Sequence, residues 1–94
     1  MPKQFRTLTT PGFDRDARKI GRRNPKFPGQ FAQILVALKE DPYNMNRKCD
    51  IKKLGAVKPG QGQWRFRFGN YRLRYDIFRR DVVLYSVRHR REAY

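Results

Sequence analysis

The sequence predicts an α+β fold: a short N-terminal strand, a two-helix hairpin, then a three-stranded antiparallel meander forming one sheet packed on the helices. Three observations predict it. Apolar residues recur at helical spacing between Phe13 and Leu38, the period drops to two from Trp64 onward, and a chain of 94 residues holds one compact core. Residues 1–94 are accordingly expected to form a single domain.

The opening segment, Lys3–Thr10, is short and β-leaning, and Pro11-Gly12 ends it. Phe13, Ala17 and Ile20 then mark the buried stripe of a first helix, with Asp14 and Asp16 where the helix dipole favours acids and Gly21 as its stop. Asn24-Pro25 is expected to open the second helix, because asparagine caps and proline is tolerated in a first turn. Its stripe is Phe27, Phe31, Ile34, Leu35 and Leu38, and Asp41-Pro42 closes it. Residues 42–62 read as loop, with Ile51, Leu54 and Val57 as anchors onto the core. Trp64, Phe66 and Phe68 alternate with Arg65 and Arg67, the pattern of a half-buried strand. Gly69-Asn70 suits a two-residue type II′ turn, after which Tyr71, Leu73, Tyr75 and Ile77 alternate with Arg72, Arg74 and Asp76. The run Val82–Val87 is apolar on both faces, as in a central strand.

Charge bounds the function. The chain carries 23 Lys+Arg against 8 Asp+Glu, a formal net charge of +15, so a polyanion is the default partner. In residues 61–94 every basic residue except His89 is arginine. No apolar run approaches a membrane span, and the N-terminus lacks the apolar stretch of a signal peptide. The lone Cys49 permits no internal disulfide and no cysteine-based zinc cluster. The expectation is a cytoplasmic protein in a reducing compartment, with no membrane partner, no metal and no small-molecule cofactor.

Register turns the hairpin into a functional argument. With Gly69-Asn70 as the turn, Arg67 faces Arg72 and Arg65 faces Arg74, while the aromatic and aliphatic side chains share the opposite face. Those aromatics belong to the core, since the helical stripe needs a partner. Like charges directly opposed across strands are destabilising, and Asp76 is the one nearby acid on that face to offset them. An ordinary solvated face mixes signs; four clustered guanidinium groups suit phosphate, whose oxygens they match bidentately. The last strand brings Arg88, His89, Arg90 and Arg91 to the same end. A three-residue loop after Phe78 puts Arg90 on the face of Arg72; a two-residue loop gives the opposite parity. Tyr94 ends the sequence as an aromatic beside the cations, suited to stacking on a base.

The segment W-R-F-R-F-G-N-Y-R-L-R-Y-D-I, followed by V-V-L-Y-S-V-R-H-R-R-E-A-Y, resembles the RelE/ParE toxin superfamily of type II toxin–antitoxin modules. The likeness rests on Gly69-x-Tyr71-Arg72-Leu73-x-Tyr75 and on His89-Arg90-x-Glu92-x-Tyr94, with close agreement over residues 64–94. It implies a toxin neutralised by a cognate antitoxin and, in the RelE branch, metal-free cleavage of mRNA on the ribosome. Arg65 and Arg67 stand where that branch often has lysines, and arginine there argues against a role needing a readily lost proton. Arg72, Arg90 and Tyr94 match the branch's arginines and tyrosine. The resemblance thus implies a catalytic set of Arg65, Arg67, Arg72, His89, Arg90 and Tyr94, with Arg74, Arg88 and Arg91 binding RNA. Within it, arginines would stabilise the phosphorane, and His89 would move a proton, histidine being the side chain that ordinarily titrates near neutrality. Two alternatives stand beside this reading: a ParE-like inhibitor of DNA gyrase without nuclease activity, and a non-catalytic basic protein that binds RNA or ribosomes.

Overall fold

The computed structural model describes residues 4–91. Its elements are β1 (Arg6–Thr9), α1 (Pro11–Arg23), α2 (Phe27–Glu40), β2 (Asp50–Lys53), β3 (Trp64–Phe68), β4 (Tyr71–Phe78) and β5 (Asp81–His89). The α+β class and the helix-on-sheet arrangement are as the sequence predicts. The described strands form one sheet in the order β1-β5-β4-β3-β2, in which β1 runs parallel to β5 and the other neighbours are antiparallel. The meander is therefore the centre of a wider sheet, and β5 is an interior strand between β1 and β4, as its two-sided apolar run requires.

One element was expected to be loop. Residues 50–53 form β2, which pairs along β3 from Asp50↔Arg67 to Lys53↔Trp64. Ile51 does anchor this segment on the core, and Leu54 N–H extends the pairing by donating to the Gln63 carbonyl. Two helix boundaries also move. α1 runs through Gly21 to Arg23, because Thr10 caps its start and nothing about Gly21 demands a left-handed conformation. Asn24 ends α1 instead of capping α2: its N–H donates to the Ile20 carbonyl and its side chain accepts from Lys26 N–H. α2 begins at Phe27 with Pro28 in its first turn.

Both helices lie on one face of the sheet. Phe13, Phe27 and Leu38 meet Phe66, Leu73, Tyr75, Val82, Leu84 and Val87 in a fully buried core, each contributing about 1.5–3 kcal/mol of apolar burial. The core continues into packed rings, among them Phe27 stacked on Phe31 and edge-on to Tyr71.

Tyr75 is the polar member of this core, and its hydroxyl donates to the Pro42 carbonyl at 2.7 Å. Burial pushes its titration above the ordinary range near 10, because the phenolate has no water to solvate it. A raised folded-state pKa favours the protonated form, so the stability is intact below about pH 10 and is lost as pH rises beyond it. Denaturation midpoints measured across pH 9–11.5 should fall steeply in the parent protein. In Tyr75→Phe the stability should start about 1 kcal/mol lower and the midpoint decline less with pH, since only the surviving groups then titrate. An equally steep decline in that variant would remove Tyr75 as the cause.

Candidate functional site

Antiparallel pairing fixes which side chains share the sheet face turned away from the helices. Nearest the β3–β4 hairpin lies the row Asp50, Arg67, Arg72 and Arg88, one residue from each of four adjacent strands. The next row is Lys52, Arg65, Arg74 and Ser86. The opposed pairs Arg67↔Arg72 and Arg65↔Arg74 are those expected from the turn at Gly69-Asn70, where Gly69 takes φ +56° and supplies the left-handed residue the turn needs.

The compensating acid is not the expected one. Asp76 is 1% exposed and is engaged by backbone amides of a loop. Its carboxylate accepts from the amides of Gly60, Gly62 and Gln63, so it pins the 58–63 loop across the far end of the face. The Tyr85 hydroxyl joins it, and burial together with the Asp76 charge raises the Tyr85 pKa. Arg74, expected to bind RNA, is committed to this loop: Nε donates to the Gly62 carbonyl at 2.7 Å and Nη2 to the Gln61 carbonyl at 3.3 Å. Gly62 has φ +83°, and a Cβ there would meet Arg74 Cβ at 2.9 Å, so only glycine permits the close approach.

The acid that faces the cations is Asp50, on the edge strand that sequence reasoning took for loop. It lies 3.2 Å from Nε of Arg67 and 3.6 Å from Nη2 of Arg65. Arg65 is the more enclosed of the two, and its Nε is buried without a hydrogen-bond partner among the described residues. Lys52 was likewise unforeseen. The signal for both was the brief alternation Asp50-Ile51-Lys52, too short to separate from loop. Their register on β3 still leaves six cations and one carboxylate in the two rows.

The turn after Phe78 has two residues, with Phe78 facing Asp81 and Arg79 in the left-handed region at φ +54°. On its own that turn gives the parity opposite to the three-residue case. A bulge reverses it: Arg74 pairs with Ser86 but Tyr75 with Leu84, so Tyr85 is an extra residue on β5. Arg88 consequently faces Arg72, while His89 faces Tyr71 on the helix side, its ring edge-on at 5.5 Å. His89 is thus separated by the sheet from the arginine rows it was expected to serve. Arg90 and Arg91 follow in an exposed turn, where Arg90 N–H closes the end by donating to the Asn70 carbonyl. Tyr94 lies outside the described residues.

No group of three or more His, Cys, Asp or Glu side chains able to hold a metal occurs among the described residues. No helix among them is long and apolar enough to cross a membrane.

Residues 8–94 match the family described as the ParE toxin of the type II toxin–antitoxin system parDE. No curated protein gives a significant match. Two solved structures share the fold. The toxin–antitoxin complex RelBE2 from Mycobacterium tuberculosis contains a chain 24% identical, with a TM-score of 0.69 over 92% of this chain and 98% of that one. The RelB–RelE antitoxin–toxin complex from Methanococcus jannaschii contains one 21% identical, with a TM-score of 0.63 over 89% of this chain and 91% of that one. Matched along nearly its whole length, and folded as helices on an arginine-faced sheet, the chain belongs to the ParE toxin family of type II toxin–antitoxin systems, within the RelE/ParE superfamily.

Proposed function

We propose that this toxin acts by cleaving mRNA on the ribosome, in the manner of the RelE branch, and that a cognate antitoxin neutralises it. The observation that carries the reading is the row Arg67, Arg72 and Arg88 on three adjacent strands, backed by Arg65 and opposed by Asp50. Attack of an RNA 2′-hydroxyl on the neighbouring phosphorus, its proton passing to water, builds negative charge on the phosphorane oxygens. The P–O5′ bond then breaks to leave a 2′,3′-cyclic phosphate and a 5′-hydroxyl protonated from solvent. Fixed guanidinium donors stabilise the phosphorane charge most where it is greatest. Arg65 and Arg67 bind and orient the phosphodiester; Arg72, between two other arginines, takes the developing charge. Arg90 lies just beyond the row and is assigned to the leaving 5′ oxygen, and Tyr94 to stacking on the adjacent base. Arg88 and Arg91 hold flanking phosphates, while Arg74 acts through the loop it fastens.

Inhibition of DNA gyrase is the second reading, favoured by the description of the matching family. Induction of the toxin in growing cells separates the two. New 5′ ends inside translated messages with unchanged plasmid topoisomers support cleavage; altered supercoiling with intact messages overturns it.

Asp50 provides a graded test of the row. Its carboxylate occupies the place at Arg67 that a phosphate oxygen would take, so binding RNA means displacing it. Asp50→Asn should therefore bind single-stranded RNA about three- to tenfold more tightly at low salt, with a steeper salt dependence. Fluorescence anisotropy across a salt series measures both; unchanged affinity would mean that RNA does not contact Arg67.

A further inference from the structure

On the helix side of the sheet, behind Arg88, a cleft of about 570 Å³ opens between the last two turns of α1 and the end of β5. It exists because β1 stops at Thr9, paired with Leu84, which leaves the last part of β5 without a strand neighbour on that side. Its polar lining is almost wholly donor. Lys19 and Arg23 come from α1, and Arg88 and Arg91 from the end of the sheet. The His89 Nδ1 accepts the Arg91 N–H at 3.2 Å, so in the neutral ring the proton sits on Nε2, and no acceptor holds it among the described residues. The Tyr71 hydroxyl accepts a hydrogen bond from the Asn24 side-chain amide at 2.9 Å, and its own O–H has no acceptor among the described residues. The one carboxylate among the described lining residues, Asp16, uses Oδ2 to accept the edge N–H of Val87 at 3.3 Å.

A cleft with this lining recognises an anion rich in acceptors. Lys19 and Arg23 also sit four residues apart on one helix face, so α1 presents both cations to the cleft. Arg88 belongs to both places, lining the cleft while its register sets it opposite Arg72 in the arginine row. We infer that the cleft is a second RNA subsite, taking a phosphodiester and its nucleotide from the same strand that crosses the arginine face. Lys19 and Arg91 hold the phosphate, and His89 and Tyr71 present N–H, O–H and ring surface to the nucleotide. The inference rests on the RNA-directed reading above and assigns His89 to binding on the helix side.

The test uses the full chain and a short 2′-O-methyl oligoribonucleotide, which binds without being cut. Lys19→Gln and Arg91→Gln should each weaken binding two- to fivefold and reduce the salt slope by about 0.7, the value for one phosphate contact on a single strand. Lys39→Gln, the same charge change at the far end of α2, should leave the slope unaltered. The His89 Nε2 signal in ¹⁵N spectra should shift on titration. If Arg72→Ala lowers the slope while the cleft variants match Lys39→Gln, the subsite falls and the arginine face stands. If messages are not cut in cells yet the cleft variants lose affinity and the His89 signal moves, the subsite stands and the cleavage reading falls. An unmoved His89 signal at saturating oligonucleotide overturns the subsite outright.

Discussion

Replacing Asp76 with alanine is expected to lower the thermal midpoint by roughly 15–30 °C, corresponding to a loss of about 3–5 kcal/mol. The carboxylate is 1% exposed and accepts three backbone amides, those of Gly60, Gly62 and Gln63. Alanine would remove the acceptor these donors share, and each unmet buried donor costs about 1–3 kcal/mol, partly relieved by water entering from the loop side. Asp76→Asn should lie between parent and alanine, because its carbonyl oxygen still accepts while its amide meets donors head-on. The control is Asp81→Ala, which breaks the exposed pair of Arg6 with Asp81 and should leave the midpoint nearly unchanged. Thermal melts followed by circular dichroism, with amide exchange at residues 60–63, measure both parts of the effect. A midpoint drop below about 5 °C, or undisturbed protection of those amides, would show that the loop is held by something else.

That loop marks the boundary of what could be read from the chain. The pairs Arg67↔Arg72 and Arg65↔Arg74 were legible because Gly69-Asn70 sets the register and every following residue inherits it. The helices were legible from their stripes, apart from ends decided by individual side chains such as Asn24. Strand β2 was not, because four residues with one apolar side chain carry no period of their own; they are extended because β3 offers an edge to pair with. Asp50, the carboxylate that matters most to the arginines, was hidden with it. The bulge at Tyr85 was also invisible, since a strand apolar on both faces gives no sign when its alternation slips by one. That slip moved His89 to the helix side and set Arg88 opposite Arg72. For Asp76 the alternation gave the correct face, but its partners are loop amides, and amides leave no trace in a side-chain pattern.

For the chemistry, the largest effect is expected at Arg72. It lies on an inner strand, directly paired with Arg67 on one side and Arg88 on the other, so a phosphate bound to the row must lie over it. Its half-buried position keeps the guanidinium fixed, which is what makes a donor effective against charge that appears only in the transition state. Arg72→Ala should slow single-turnover cleavage on programmed ribosomes by about 10²–10³-fold, while affinity for the programmed ribosome falls only severalfold, the rest of the charged face being intact. Arg72→Lys keeps the charge but not the planar fork, and should recover about a tenth of the parent rate. Because the side chain is half-buried, melting of both variants belongs in the same experiment. A lysine variant that melts with the parent yet cleaves slowly isolates the loss to chemistry. Cleavage within about threefold of the parent in a folded Arg72→Ala would take the row out of the reaction. If that same variant also lost an effect on plasmid supercoiling that the parent exerts, the arginines would be contacting gyrase and not a message.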